Sequence, residues 1–303
     1  MKQTSNASSA RATLRTGLAI ASLLMTACSG GHSATSAPAE GTTAPTGGTL
    51  KLAGSDTMVI LAQRFAEVYM RTHAGSTIQV SGGGSGTGIA ALVNGTTTIA
   101  NASRGMKDDE KARVLAQRHA AAHETRVALD AVAVYVHTSN QVAQLSTEQL
   151  SGIYRGQITN WKDVGGADLP IVLYSRENSS GTYVYFKEHV LHDADFAATA
   201  QTLPGTAAVI NAVSRDPGGI GYGGIAFATG VRPVPLVGAA GTPVAPSLAT
   251  ATSGEYPLSR FLFMYTAGEP TGIAKAFLDW VVSPEGQALV EPVGFYPVPH
   301  PGA

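Results

Sequence analysis

Ser81-Gly82-Gly83-Gly84-Ser85-Gly86-Thr87-Gly88 stands between two apolar runs, Ile78-Gln79-Val80 and Ile89-Ala90-Ala91-Leu92-Val93. The first run predicts a strand and the second a helix. The glycines between them then form a turn that presents bare backbone N–H groups at a helix N-terminus, where an anion is readily held. The offsets are not those of a dinucleotide fingerprint, because Thr87 stands where Gly82 and Gly84 would require a third glycine. Gly83 and Gly88 are followed by Ile89 and not by the lysine of a phosphate-binding P-loop. Ser85 also lacks the closing glycine of a G-x-S-x-G nucleophile turn. A second run of the same character, Arg176-Glu177-Asn178-Ser179-Ser180-Gly181-Thr182, adds a guanidinium able to fork onto two oxygens. The two turns together imply one oxyanion gripped from two sides.

Outward from these turns the chain alternates strand and helix. Leu50-Lys51-Leu52-Ala53 reads as a strand, Gly54-Ser55-Asp56-Thr57 as a capping turn, and Leu61, Phe65, Val68 and Tyr69 recur at helical spacing. Further strands are expected at Thr98-Ile99-Ala100, Ala131 to Val136, Ile171 to Tyr174 and Arg260 to Tyr265, with helices from Ser146 and over Ile273 to Val282. The stretch from Pro217 to Gly254, rich in Pro, Gly and Ala, reads as loop-like and poor in strands. This is an α/β pattern, and in such sheets ligands sit beyond the carboxyl ends of the strands, where both Gly/Ser turns fall.

The chain has 303 residues and 44% hydrophobic content, enough to bury a large core and to divide into two domains. A formal net charge of -1 and the lack of a clustered Lys/Arg run argue against nucleic acid as a partner. Lys2, Arg11 and Arg15 precede an apolar stretch from Gly17 to Ala27, which is too short to cross a bilayer and reads as an export signal over residues 1–27. Leu24-Met25-Thr26-Ala27-Cys28 resembles a bacterial lipobox, which makes Cys28 the expected site of lipidation. As the only cysteine it excludes an internal disulfide. Residues 28–48, mostly Ser, Gly, Ala, Thr and Pro, read as a flexible tether.

Few other motifs carry chemistry. His119 and His123 would share one face of a helix, but no HExxH pattern or further ligand supports a metal, and a solvated face is the expectation. Asp108, Asp109 and Glu110 read as an exposed first helical turn. Arg104, just beyond the strand at Thr98, is open to two readings, a surface charge or a third ligand.

Several segments taken together resemble one family. They are Gly54 to Thr57, Gly83 to Gly88, Leu145 to Leu150, Gly156-Gln157-Ile158-Thr159-Asn160-Trp161, Ser175 to Thr182, Gly219 to Tyr222, Tyr256-Pro257-Leu258-Ser259-Arg260 and Ser283-Pro284-Glu285-Gly286-Gln287. In this order, from about Gly48 to Val298, the chain resembles the PstS-type phosphate-binding proteins of bacterial ABC phosphate uptake systems. The resemblance implies a two-lobed periplasmic-binding-protein fold of class II, each lobe a mixed sheet flanked by helices, joined by a two-strand hinge. Lobe I would be 49–130 plus 256–303 and lobe II 131–255. It also implies a monomeric, lipid-anchored receptor in the periplasm or at the cell surface, without catalysis or cofactor. Such a receptor hands inorganic phosphate to the subunits of an ABC-type permease. The implied ligand groups are Ser55, Asp56, Thr57, Ser85, Arg176, Ser180, Gly181 and Thr182.

In the family a carboxylate after Ala-Ser accepts the proton of the phosphate, and here that position is Arg104. A carboxylate acceptor welcomes hydrogenphosphate and repels sulfate. The expectation is therefore an exchange, with Arg104 adding charge to the site and Asp56 taking the proton contact. The competing readings are a receptor for sulfate or molybdate, a hydrolase using Ser85 or Ser180, and a sensor without transport.

Overall fold

Thr49 to Ala53 alternates in exposure, with Leu50 and Leu52 turned into a core, and forms the center of strand β1 (Gly48–Gly54). The computed structural model describes residues 47–238 and 240–298; the expected signal segment, Cys28 and most of the tether lie outside them. Helix α1 (Val59–Thr72) follows β1 through a short 3₁₀ turn and lays Leu61, Phe65 and Tyr69 on the same core. Strand β2 (Ser76–Gly83) runs straight into α2 (Ser85–Val93), and β3 (Ile99–Ala102) is followed by α3 (Asp108–Arg118).

Strand β4 (Ala122–Val136) is longer than its apolar run suggested. Its first residues, His-Glu-Thr-Arg, lie near solvent and carry no hydrophobic signal, whereas every position from Val127 to Val136 is buried. Next come α4 (Thr147–Tyr154), capped by Ser146, then β5 (Val172–Arg176), α5 (Gly181–His189), β6 (Gln201–Leu203) and α6 (Gly205–Val213). Strands β7 (Gly219–Gly224) and β8 (Arg232–Val234) follow, then a two-residue pair, β9 (Leu236–Val237) with β10 (Pro243–Val244), and helix α7 (Leu248–Ser253). The loop-like stretch thus contains several elements too short to leave a periodic pattern. Strand β11 (Ser259–Ala267) and helix α8 (Gly272–Val282) occupy the positions read from the sequence.

The strands are ordered β2-β1-β3-β11-β4-β7-β5-β6, with β8 also paired to β4. β1 is parallel to β2 and β3, while β11 runs antiparallel to both β3 and β4. Beyond β4 the pattern repeats, because β7 pairs antiparallel to β4 and parallel to β5, and β5 is parallel to β6. In each half the first strand lies between the second and third, as in a doubly wound sheet, and a crevice opens at that reversal of order. Among the described residues, the two largest of four hydrophobic cores divide likewise. One gathers Leu50, Phe65, Tyr69, Phe277 and Val281; the other gathers Val134, Leu150, Tyr154, Trp161 and Phe186. This is the two-lobed class II architecture, with β4 and β11 joining the lobes.

Two local expectations are corrected. α3 ends at Arg118 because His119 adopts a left-handed conformation (φ 53°), and His123 already belongs to β4, so these histidines share no helix. Glu110 is buried and not exposed, because its carboxylate pairs with Arg104. Among the described residues no group of three or more His, Cys, Asp or Glu side chains is placed to hold a metal.

Candidate functional site

The first turn is built at the carboxyl end of β1. Ser55 N–H donates to the Asn101 carbonyl (2.9 Å), which ties the turn to β3, and residues 56–58 wind into α1. The second turn is the glycine run, where β2 passes directly into α2. Gly83 and Gly84 have φ of 111° and 92°, a region that disfavors side chains. A Cβ on Gly84 would also lie 2.5 Å from the Ser179 carbonyl of the other lobe. Ser85, the first residue of α2, is fully buried, and its Oγ accepts the Ser103 N–H at 3.0 Å.

Across the crevice, β5 ends on Arg176 and α5 starts after its N-cap, Ser180. Ser180 Oγ accepts the N–H groups of Thr182 and Tyr183 at 3.2 and 3.3 Å. Arg176 is 1% exposed; its Nη1 donates to Thr206 Oγ1 at 2.8 Å and its Nη2 to Asp56 Oδ2 at 2.9 Å. Its Nε is buried with no protein acceptor. Burial lowers the guanidinium pKa despite the opposing pull of Asp56. The other oxygen of Asp56 accepts the Gly83 N–H at 2.8 Å, so this carboxylate bridges the first turn, the glycine run and the arginine of the opposite lobe.

The lobes meet directly here. Gly86 N–H donates to the Ser179 carbonyl (2.9 Å), and Thr57 Oγ1 lies 3.1 Å from Thr182 Oγ1. Gly181 sits so close to Ser85 and Ser103 that a Cβ on it would come within 2.2 and 2.7 Å of their hydroxyls. Ser55, Asp56, Thr57, Ser85, Arg176, Ser180, Gly181 and Thr182 are thereby brought to one place.

Arg104 is turned elsewhere. Its Nη1 and Nη2 each donate to Glu110 at 2.7 Å, and Nη1 also reaches the Gly105 carbonyl at 2.9 Å. This bidentate pair, with side chains 7% and 9% exposed, satisfies the charge of Arg104 within its own segment.

Sequence reading missed three contributors. Ser103 places its hydroxyl 3.3 Å from Ser85 Oγ. Asp130 and Arg260 form a buried ion pair at 2.9 Å, and Arg260 Nη2 donates to Thr182 Oγ1 at 3.0 Å. A charged residue inside each of two apolar strands was the available signal, since Lys, Arg, Asp and Glu are almost never fully buried unless paired.

The chemistry follows from the donors. Ser85, Ser180 and Thr182 each spend an oxygen lone pair on an N–H donor, so their own protons must find acceptors. Further N–H groups in the first turns of α2 and α5 lack intrahelical partners, and the helix dipoles add partial positive charge of about half a unit each. Among the described residues Asp56 is the carboxylate that hydrogen-bonds to both the glycine run and Arg176 of the facing turn. Many donors around one carboxylate suit a protonated tetrahedral oxyanion.

The fold and the facing helix N-termini define a class II two-lobed binding protein. The profile of the PBP superfamily domain matches residues 39–285. The chain is 35% identical over 270 residues to the phosphate-binding protein PstS of Pseudomonas aeruginosa, covering 83% of this chain and 84% of that one. It is 34% identical over 252 residues to PstS of Bacillus subtilis, with coverage of 83% and 81%. Among solved structures it is similar to a putative phosphate ABC transporter substrate-binding protein with bound phosphate from Clostridium perfringens. That match has a TM-score of 0.76 and 28% identity, and covers 83% of this chain and all (100%) of that one. An ABC-type phosphate transport receptor from Vibrio cholerae matches with a TM-score of 0.68 and 28% identity, over 82% of this chain and 100% of that one. The chain belongs to the PstS family of phosphate-binding proteins.

Proposed function

We propose that this protein captures inorganic phosphate between its lobes and delivers it to an ABC-type permease, by binding and not by catalysis. The observation that carries this reading is the Asp56–Arg176 contact of 2.9 Å, placed between two turns that both open helices toward the same point. In this reading Ser55, Thr57, Ser85, Ser180, Gly181 and Thr182 donate N–H or O–H bonds to the anion. Arg176 supplies the charge, and Asp56 accepts the phosphate proton while holding Arg176. Each carboxylate oxygen has a second lone pair, which leaves Asp56 able to do both. Arg104 is not a ligand group in this reading, because Glu110 holds its guanidinium. Lobe I comprises 49–130 with 256–303 and lobe II 131–255, although Leu129, Tyr256 and Leu258, at these boundaries, pack into the core of lobe II.

The N-terminal reading belongs with this proposal: a signal removed after residue 27, Cys28 lipidated, and a monomer tethered outside the cytoplasm. Among the described residues no helix is long and apolar enough to cross a membrane, and in this reading the anchor is the lipid on Cys28. Metabolic labeling with a radioactive fatty acid tests this, and Cys28→Ser is expected to abolish the label.

Calorimetric titration of ligand-freed protein with phosphate, repeated in excess sulfate, tests the main reading. One-to-one phosphate binding that sulfate does not displace supports it; equal response to sulfate would make this a general oxyanion receptor. Arg176→Lys keeps a charge but loses the planar fork. It is expected to weaken phosphate binding by about a hundredfold, or about 2.7 kcal/mol.

A further inference from the structure

The buried pair Asp130–Arg260 lies where the two lobe-joining strands are in register, Arg260 directly opposite Asp130 in the β4–β11 ladder. The side chains are 0% and 3% exposed. Both Nε and Nη2 of Arg260 donate to one oxygen, Asp130 Oδ2, at 3.1 and 2.9 Å, and Nη2 is shared with Thr182 Oγ1 at 3.0 Å. The Tyr185 ring, one turn further along α5, covers the guanidinium at 5.3 Å, and its hydroxyl donates to the Ser259 carbonyl at 2.9 Å. Helix α5 is thus fastened to β11 at two points. Thr182 in turn lies 3.1 Å from Thr57 of the other lobe.

A buried ion pair is a poor source of stability, since desolvation offsets its attraction and apolar replacements are often as stable. Its geometry here does something else. A threonine oxygen has one proton and two lone pairs. With an Arg260 N–H on one lone pair, the Thr182 hydroxyl is disposed to give its proton away across the crevice.

We propose that Arg260, held on Asp130 at the crossing of β4 and β11, is a positioning residue for anion capture. It occupies one lone pair of Thr182 Oγ1, which orients the hydroxyl so that its proton is free for donation into the crevice, and thereby ties the hinge strands to the contact between the lobes. The inference rests on the phosphate reading above.

The test is a mutant cycle on the full soluble body, reading phosphate affinity by calorimetry and ligand-free thermal unfolding separately. Asp130→Asn with Arg260→Gln exchanges the ion pair for a neutral hydrogen-bonding pair. It is expected to unfold near the wild-type temperature yet bind phosphate roughly tenfold more weakly, the worth of one hydrogen bond to a charged group. Thr182→Val is expected to lose a similar factor, and the three changes together no more than Thr182→Val alone, because both routes remove the same donated proton. Thr182→Ser, which keeps a hydroxyl, is expected to bind well only with Arg260 present. Should the neutral pair fail to fold, Arg260→Lys, which keeps the charge on Asp130, is expected to show the same lack of additivity with Thr182→Val. Affinity losses that add, or that track the loss of stability, would overturn the proposal and leave the phosphate reading intact. Wild-type protein that takes up no phosphate would overturn both.

Discussion

At Glu110, burial by itself would push the carboxyl pKa upward, but the Arg104 bonds and the Lys107 N–H outweigh it and hold the group below its ordinary value. The unfolded chain therefore binds the proton more readily than the fold does. The stabilization is fully present above the ordinary carboxylate range of about pH 4.3 and is lost as pH falls through the lower folded value. Glu110→Gln is expected to cost about 3–5 kcal/mol at neutral pH, because Arg104 would stay buried without its partner. It should also flatten the acid side of the stability curve, a difference that denaturant titrations at pH 7 and pH 3.5 would detect. Asp56 makes the complementary case at the ligand. Asp56→Asn keeps the size and the acceptor for Gly83 but removes the charge, so phosphate is expected to lose its advantage over sulfate in competition binding.

At the scale of elements, the site is a matter of how two strand-to-helix turns approach each other. The order strand, glycine run, helix was legible in Ser81 to Gly88 because glycine, serine and the flanking apolar runs are local signals, and β2 and α2 lie where those signals put them, as β5 lies where Ile171 to Tyr174 put it. The first half of β4 was not legible, since His123 to Arg126 gain their strand from pairing with β11 and not from any apolar pattern. Glu110 was misread because an acidic first turn looks solvated until a partner outside the helix, here Arg104, claims one member. Gly181 marks a close approach between the elements. Gly181→Ala is expected to abolish measurable phosphate binding, because its Cβ would fall 2.2 Å from Ser85 Oγ when the lobes meet. Unfolding of the ligand-free protein is expected to shift by only about 1–2 °C, since neither lobe core is touched.

For the molecule as a whole, capture and stability are linked. Phosphate that binds only the closed fold stabilizes it by about 2.7 kcal/mol at a hundredfold excess over Kd. For a body of this size that corresponds to a rise in unfolding temperature of about 5–10 °C, measurable by scanning calorimetry. Sulfate at the same concentration is expected to leave the transition where it was.

Read alone, the chain determined the α/β class and the two Gly/Ser turns at the ends of β2 and β5, because each rests on neighbors within a few positions. What the tertiary structure decided was the direction of charge. Arg104 turns to Glu110, Arg176 to Asp56 and Arg260 to Asp130. In each case a buried guanidinium takes whichever carboxylate the packing brings within hydrogen-bond reach, since leaving it unpaired in low dielectric is far costlier than any local preference. Those partners stand 6, 120 and 130 residues away along the chain, and only the folded arrangement of the strands brings the two distant ones together.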